Sequence, residues 1–323
     1  MIKIFITGGT GFIGKHVLEK LQNENKFHVV ILTRHKRDDQ KNLSYVQGDI
    51  SNTLLISEYI GQSNYVIHMA GCKNDPKSFF QTNVKGTENI INACRKNNDL
   101  KKLIYLSSVG VIGKTNNTVI DEKTECHPNN EYEKSKYQAE LIVREYAKER
   151  PGNVIILRPA NVFGENDPEL HLLNLIRKIK SRQFYFVGRG ESLYYLNYLY
   201  VREISELVPL FLRSNARSGV YIINTPTSLL EFITTIKEIL EDRTPVKHLP
   251  YGPIKLLAKC FDMIPRDILK HPPVNSLKLS ELTNRKQYSS ALLAADFGWK
   301  PMFTMKQALN NLISHYNKRK LLA

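Results

Sequence analysis

Through the first half of the chain, short runs rich in β-branched and aromatic residues alternate with stretches whose apolar residues recur every three or four positions. The runs at 3–7, 28–33, 44–47, 65–69, 102–106 and 154–157 have the length and composition of buried strands. Between them Ile13, Val17, Leu18 and Leu21, and later Ile90, Ile91 and Cys94, gather on one side of a helical period, as in helices that lay one face on a sheet. Such alternation predicts an α/β fold, a doubly wound parallel sheet covered by helices. After about residue 165 the pattern loosens. Helical spacing persists at 170–180 and 229–240, aromatics crowd 194–200, and prolines cluster at Pro245, Pro250, Pro253, Pro265, Pro272 and Pro273. The expected organisation is a sheet domain over 1–165, with a later contribution from about 195–225, and a smaller, irregular C-terminal region over 166–323. No internal repeat or low-complexity segment interrupts it.

The first strand runs directly into Thr7-Gly8-Gly9-Thr10-Gly11-Phe12-Ile13-Gly14 and a helix. Glycines in such a turn let it be tight, let the backbone approach a pyrophosphate and let the helix pack on the strand, while the helix N-terminus attracts the anion. With a second strand starting near residue 28, this predicts a Rossmann-type dinucleotide site in which Gly8, Thr10, Gly11, Phe12, Ile13 and Gly14 bind the cofactor. An acidic residue at the tip of the second strand would bond the ribose 2′-hydroxyl of NAD. This chain has Thr33-Arg34-His35-Lys36-Arg37 there. Arg34 offers a guanidinium fork to a 2′-phosphate, so NADP(H) is favoured over NAD(H).

Tyr132-Glu133-Lys134-Ser135-Lys136 sets a phenol and an ammonium four residues apart, on one helix face. A phenol is a poor base at neutral pH, and a nearby cation is expected to lower its pKa into a usable range. Tyr251/Lys255 and Tyr316/Lys320 repeat the spacing, the first across Gly252 and Pro253 and the second in a charged tail. Only Tyr132 follows a strand ending in Ser107-Ser108, whose hydroxyl can share a substrate oxygen with it.

Taken together these segments resemble the extended short-chain dehydrogenase/reductase family, in particular its NAD(P)-dependent epimerase/dehydratase branch. Further stretches carry the resemblance: Gly48-Asp49-Ile50, Val66-Ile67-His68-Met69-Ala70-Gly71, Asn83-Val84-Lys85-Gly86-Thr87-Glu88-Asn89, Ser107 to Gly113, Leu157-Arg158-Pro159-Ala160-Asn161-Val162-Phe163-Gly164 and Phe297-Gly298-Trp299-Lys300-Pro301. The resemblance implies that Ser108, Tyr132 and Lys136 are the catalytic trio, with Tyr132 and Lys136 also touching the cofactor. It implies that Asp49 and Ile50 contact adenine, that Ala70 and Gly71 line the ribose and diphosphate, and that Asn161, with Ser108, lies near the substrate. It also implies pairing of two copies through helices, a homodimer. Three departures stand out: Ile112 where an aromatic is usual, which bears on the substrate pocket; Val201-Arg202-Glu203 where paired aspartates are usual; and Thr33-Arg34 in place of an acidic strand end.

The implied activity is hydride transfer to or from a nucleotide-activated sugar, as a 4-epimerase or 4-ketosugar reductase. Dehydration ranks last, because Val109-Gly110 stands where the family's dehydratases carry an Asp-Glu pair. Two other readings remain, an NADPH-dependent ketone reductase acting on a non-sugar substrate and a non-catalytic dinucleotide-sensing or RNA-binding protein. The aligned tyrosine and lysine argue against the last.

Composition narrows the picture further. No run approaches the ~18 apolar residues of a membrane span, and the apolar N-terminal stretch is too short for a signal peptide, so a cytoplasmic protein is expected. Cys72, Cys94, Cys126 and Cys260 form no Cys-x-x-Cys pair, and the histidines show no ligand spacing, so no metal is expected and His68 reads as structural. The formal net charge is +15. Its cations are scattered with few interleaved aromatics, which suits phosphorylated small molecules better than nucleic acid. Arg177, Arg182 and Arg189, beside the 194–200 aromatics, are the expected partners of a nucleotide diphosphate.

Overall fold

A computed structural model describes residues 1–214, 218–264 and 274–322. Seven strands form one parallel sheet: β1 (Ile2–Thr7), β2 (Phe27–Thr33), β3 (Leu43–Gln47), β4 (Tyr65–His68), β5 (Lys102–Leu106), β6 (Val154–Pro159) and β7 (Gly219–Ile223). Their order is β7-β6-β5-β4-β1-β2-β3. The chain reverses direction across the sheet between β1 and β4, and a ligand site in such a sheet lies outside the carboxyl ends of the strands at that switch. Register sets Thr7 of β1 beside His68 of β4 there. Ile4, Phe5 and Ile6 are fully buried because both faces of β1 are covered.

The sheet draws on residues far beyond 165. Helix α1 (Phe12–Gln22) packs against a helix at Val201–Arg213, and β7 pairs with β6 in parallel from Gly219↔Ile155 to Ile223↔Pro159. On the other face lie α2 (Thr53–Gly61), α3 (Gly86–Lys96) and α4 (Glu131–Glu149). The expected helix at 170–180 is α5 (His171–Lys180), and Val201–Arg213 is then α6. The aromatic stretch forms short strands, of which Tyr198–Tyr200 pairs in parallel with Asn161–Phe163.

A separate core joins α5, α7 (Leu229–Ile239) and the C-terminal helix at Met305–Lys318 through Leu172, Ile176, Phe232, Ile236, Leu309 and Leu312. The remaining helices are α8 (Tyr251–Asp262), α9 (Ser276–Leu282) and α10 (Ala291–Phe297), which makes the C-terminal one α11. Pro250 caps the start of α8 and Pro253 sits in its first turn; Pro265, Pro272 and Pro273 lie outside the described residues. Among the described residues no helix is long and apolar enough to cross a membrane, and no cluster of His, Cys, Asp and Glu could hold a metal ion.

Candidate active site

The glycine-rich turn leaves no room for side chains. Gly8 has φ +74°, and a Cβ there would come within 2.5 Å of the Ala70 amide nitrogen. A Cβ on Gly14 would lie 2.2 Å from the Gly8 carbonyl oxygen. The Gly11 N–H donates to that same oxygen at 3.1 Å, closing the turn. Helix α1 then begins at Phe12 with Gly11 as its cap and no side chain bonding its first amides, a cradle that fits a dinucleotide pyrophosphate. Phe12 and Ile13 turn toward the C-terminal core, which leaves backbone as the turn's contact surface.

The turn is anchored from below by His68. Thr87 donates its hydroxyl to the Asn83 carbonyl at 2.5 Å, so it accepts from His68 Nε2 at 2.9 Å, and His68 Nδ1 accepts from the Thr7 hydroxyl at 2.7 Å. The Thr7 oxygen in turn accepts from the Ala70 amide at 3.3 Å. This chain of donors requires a neutral ring, and burial, with Lys136 nearby, holds the His68 pKa down at about 3. The structural role read for His68 from the sequence is the one it has.

Of the residues expected at the adenosine, Asp49 accepts from the Ser51 amide (2.9 Å) and hydroxyl (2.7 Å); these bonds, with Arg34 nearby, hold its carboxyl below the usual range. Arg34 is exposed at the tip of β2. Ile50 is buried, packed where a Cβ on Gly86 would lie 2.9 Å away, and its carbonyl accepts from Asn89. Ala70 and Gly71 follow β4, with Gly71 exposed.

Ser108 follows β5 as the cap of a short 3-10 turn, Val109–Val111, and accepts from the Gly110 amide at 3.0 Å. Capping leaves its hydroxyl proton free for another acceptor. Asn130 caps α4 by accepting from Glu133 N, which sets Tyr132 in the first turn of that helix. The two turns touch: a Cβ on Gly110 would be 3.3 Å from Glu133 Cγ. Tyr132 lies edge-on to Phe79, with centroids 5.7 Å apart.

One turn further, Lys136 is buried, donates to the Leu106 carbonyl at 2.7 Å and sits 4.6 Å from the Tyr105 ring. Burial pulls its pKa down to about 8, against the pull of Glu140. Tyr132 is pushed up to about 12 by burial first, then by Glu169 and Glu133. The expectation that Lys136 lowers the phenol is therefore not met in this structure: the ammonium is turned to a backbone carbonyl, while carboxylates face the ring.

Two features escaped the sequence reading. Asn83, in a π-helical turn (Phe80–Lys85), donates to Ser135 Oγ (2.9 Å) and to the Cys72 carbonyl (2.9 Å), and accepts from the Cys72 amide (2.7 Å). It ties the loop after β4 to the helix that carries Tyr132. Glu140 and Arg158, both with 0% side-chain exposure, pair at 2.7 Å, and Glu140 also accepts from Ser107 Oγ at 2.6 Å. That pair joins the end of β5, α4 and β6: Ser108 follows β5, α4 carries Tyr132 and Lys136, and Asn161 follows β6. Burial alone would raise the Glu140 pKa, but Arg158, Ser107 and Arg144 hold it below the usual range.

The other expected substrate contacts, Asn161, Arg177, Arg182 and Arg189, are all exposed. Asn161 is exposed, its amide donating to Asn197 O at 3.1 Å. Arg177 donates to the Leu321 carbonyl at 3.1 and 2.7 Å, which turns it toward the C-terminal tail. Arg182 borders a groove with Glu241 and Asp242, and Arg189 is exposed. Arg285 also meets the aromatic stretch, 5.9 Å from the Tyr194 ring. Ile112 is fully buried in the core, so its departure from an aromatic acts on packing and not on a pocket wall. Glu203 accepts from the Met302 and Phe303 amides at 2.9 Å, pinning the C-terminal segment to α6.

Residues 4–224 match the model of the NAD dependent epimerase/dehydratase family. The chain belongs to that family. It is accordingly an NAD(P)-dependent enzyme of the extended short-chain dehydrogenase/reductase type, as the sequence motifs implied. A relative from Escherichia coli O157:H7, N-acetyl-alpha-D-glucosaminyl-diphospho-ditrans,octacis-undecaprenol 4-epimerase, is 26% identical over 322 residues, covering 97% of this chain and 94% of its own. The fold is shared with UDP-glucuronic acid 4-epimerase from Bacillus cereus in complex with NAD, at TM-score 0.74, 18% identity and 100% coverage of both chains. It is shared equally with UDP-glucose 4-epimerase from Thermotoga maritima with UDP-glucose, at TM-score 0.73, 20% identity and coverage of 99% of this chain and 100% of that one.

Proposed function

We propose that the enzyme moves hydride to and from C4 of a sugar carried on a diphosphate, a nucleotide-activated sugar in the first instance, with epimerisation or ketone reduction as the outcome. The observation that carries this reading is the meeting of the Ser108 turn, the first turn of α4 with Tyr132, and buried Lys136 at the carboxyl edge of the sheet, close to the uncapped start of α1. Bound there, a nicotinamide cofactor would supply the hydride acceptor and donor and, when oxidised, a positive charge. Gly8 to Gly14 would hold the pyrophosphate, Ala70 and Gly71 would line its path, and Asp49 and Ile50 would border the adenine.

With its proton held to about pH 12, Tyr132 is poised as the acid that protonates a ketone oxygen. In the opposite direction it takes the proton of the sugar hydroxyl while Ser108 donates to the same oxygen. For that step the repulsion by Glu169 and Glu133 has to be offset by cations, Lys136 among them. Arg34, exposed at the tip of β2 where an acidic residue would favour NAD(H), supports a preference for NADP(H). Calorimetry of NADPH and NADH against the unmutated protein and Arg34→Ala tests this; equal affinities in the unmutated protein return Arg34 to the solvated surface.

The E. coli relative is named for a sugar on a polyprenyl diphosphate, so both carriers belong in the substrate test. Purified enzyme with cofactor is incubated with UDP-glucose, UDP-N-acetylglucosamine and a polyprenyl-diphosphate N-acetylglucosamine, and the C4 epimers are separated by chromatography. Interconversion of any of these supports the reading. Turnover only of non-sugar ketones with NADPH would replace it with a ketone reductase.

A further inference from the structure

Helix α8 is apolar on two sides. Toward the protein it buries Ala258, with Ile254 and Phe261 half-buried beside it. At 100° per residue, Leu256, Cys260 and Met263 fall within an arc of about 60° on the opposite side. Leu256 is 66% exposed and Met263 82%. Leu257 and Ile264 widen this arc on one flank and are also exposed, and Lys255 and Lys259 border it on the other. The neighbouring α9 adds exposed Leu277, and the Asp262 carboxylate accepts from Ser276 N, tying the two helices together. Single exposed leucines are ordinary, but a contiguous row on one short helix is not.

We propose that the outer face of α8, with Leu277 of α9, is a docking surface for an anionic lipid bilayer. A helix of this kind lies in the interface with its apolar side chains among the acyl chains while lysines along its border reach the headgroups. Charge complementarity selects a membrane over an apolar protein partner: the cations on the border of the row are Lys255 and Lys259, and the whole chain carries +15. Peripheral docking also agrees with the lack of a spanning helix among the described residues. The surface does not rest on the sugar assignment. If the substrate's diphosphate is borne on a polyprenyl chain, the docked enzyme meets it where it resides.

The test is co-sedimentation of the full-length protein with vesicles of phosphatidylcholine alone and of phosphatidylcholine with 30% phosphatidylglycerol, at low and high salt. The expected result is binding to the anionic vesicles, weakened by salt. The variant Leu256→Glu with Met263→Glu changes only exposed side chains, so its melting temperature should match the unmutated protein while its bound fraction falls at least about tenfold. Lys255→Glu with Lys259→Glu should lose the preference for anionic lipid. Equal sedimentation of the Leu256/Met263 variant, or no binding by the unmutated protein, overturns the proposal. So does a shift of that variant from dimer to monomer on gel filtration without any lipid binding, which would assign the face to a second copy. Epimerase activity on soluble nucleotide sugars is read separately, so failure of docking and failure of the sugar reading are distinguishable.

Discussion

Replacing Arg158 by methionine isolates the joint that holds the site together. In the unmutated protein the Glu140 carboxylate accepts from Arg158 Nε (3.0 Å) and Nη2 (2.7 Å), from Ser107 Oγ (2.6 Å) and from Arg144 Nε (2.8 Å). Without Arg158 the charge stays buried with a hydroxyl, the partly exposed Arg144 and the more distant Lys136 to offset it. Breaking one side of a buried pair costs ~3–5 kcal/mol, and the surviving Arg144 contact puts this case near the lower end, about 3. At roughly 2 °C per kcal/mol for a chain of this size, the melting temperature should fall by about 6 °C. Glu140→Leu together with Arg158→Met removes both charges, so the double variant should lose clearly less than the sum of the two single losses.

The site should feel the change as well. Ser107 directly precedes Ser108, and a misplacement of about 1 Å at reacting groups costs up to ~10² in rate. The measurements are thermal melts followed by circular dichroism for all four proteins, and turnover well below the lowest melting point. An Arg158→Met protein melting within 2 °C of the unmutated one, or strict additivity in the double variant, would refute the assignment of this pair as the joint.

Gly14→Ala places a methyl group against the Gly8 carbonyl and should abolish cofactor binding by calorimetry, with a fall in melting temperature. Asn83→Ala frees the loop after β4 from α4, and should reduce turnover about tenfold or more with a smaller change in cofactor affinity; unchanged kinetics would make Asn83 a packing residue only. His68 gives an acid-sensitivity prediction. Its folded pKa, about 3, lies below its unfolded value near 6.5, so the unfolded chain binds the extra proton between these pH values and stability falls as the pH drops through that window. The slope from this group is ~1.4 kcal/mol per pH unit, and urea melts at pH 6.5, 5.5 and 4.5 should show it reduced in His68→Gln.

The six early strands were legible because each is a compact apolar run whose ends coincide with polar turns. The seventh, β7, was visible only as a contribution from about 195–225: its partner β6 lies some 60 residues upstream, and a non-local pairing leaves no local periodicity. The glycine turn, Ser108, Tyr132 and Lys136 stood out by spacing, and the fold brings their elements to one edge. Their electrostatics did not, since the ionisation of Tyr132 and Lys136 depends on burial and on Glu169, a residue from a distant loop. Arg158 entered only as part of the Leu157–Gly164 stretch, and Glu140 not at all. That the two bury each other is written in tertiary packing alone. The Arg177 contact was hidden for the same reason, because its acceptor is the Leu321 carbonyl at the far end of the chain.

The most direct test of the catalytic claim is the turnover of Tyr132→Phe on whichever diphosphate sugar the unmutated enzyme accepts, measured beside cofactor affinity by calorimetry. The account predicts a loss of ~10² to 10⁴ in turnover, the range for one acid/base group, with the dissociation constant of the cofactor within about twofold of the unmutated value. Retention of more than about a hundredth of the activity, at unchanged cofactor affinity, would contradict it.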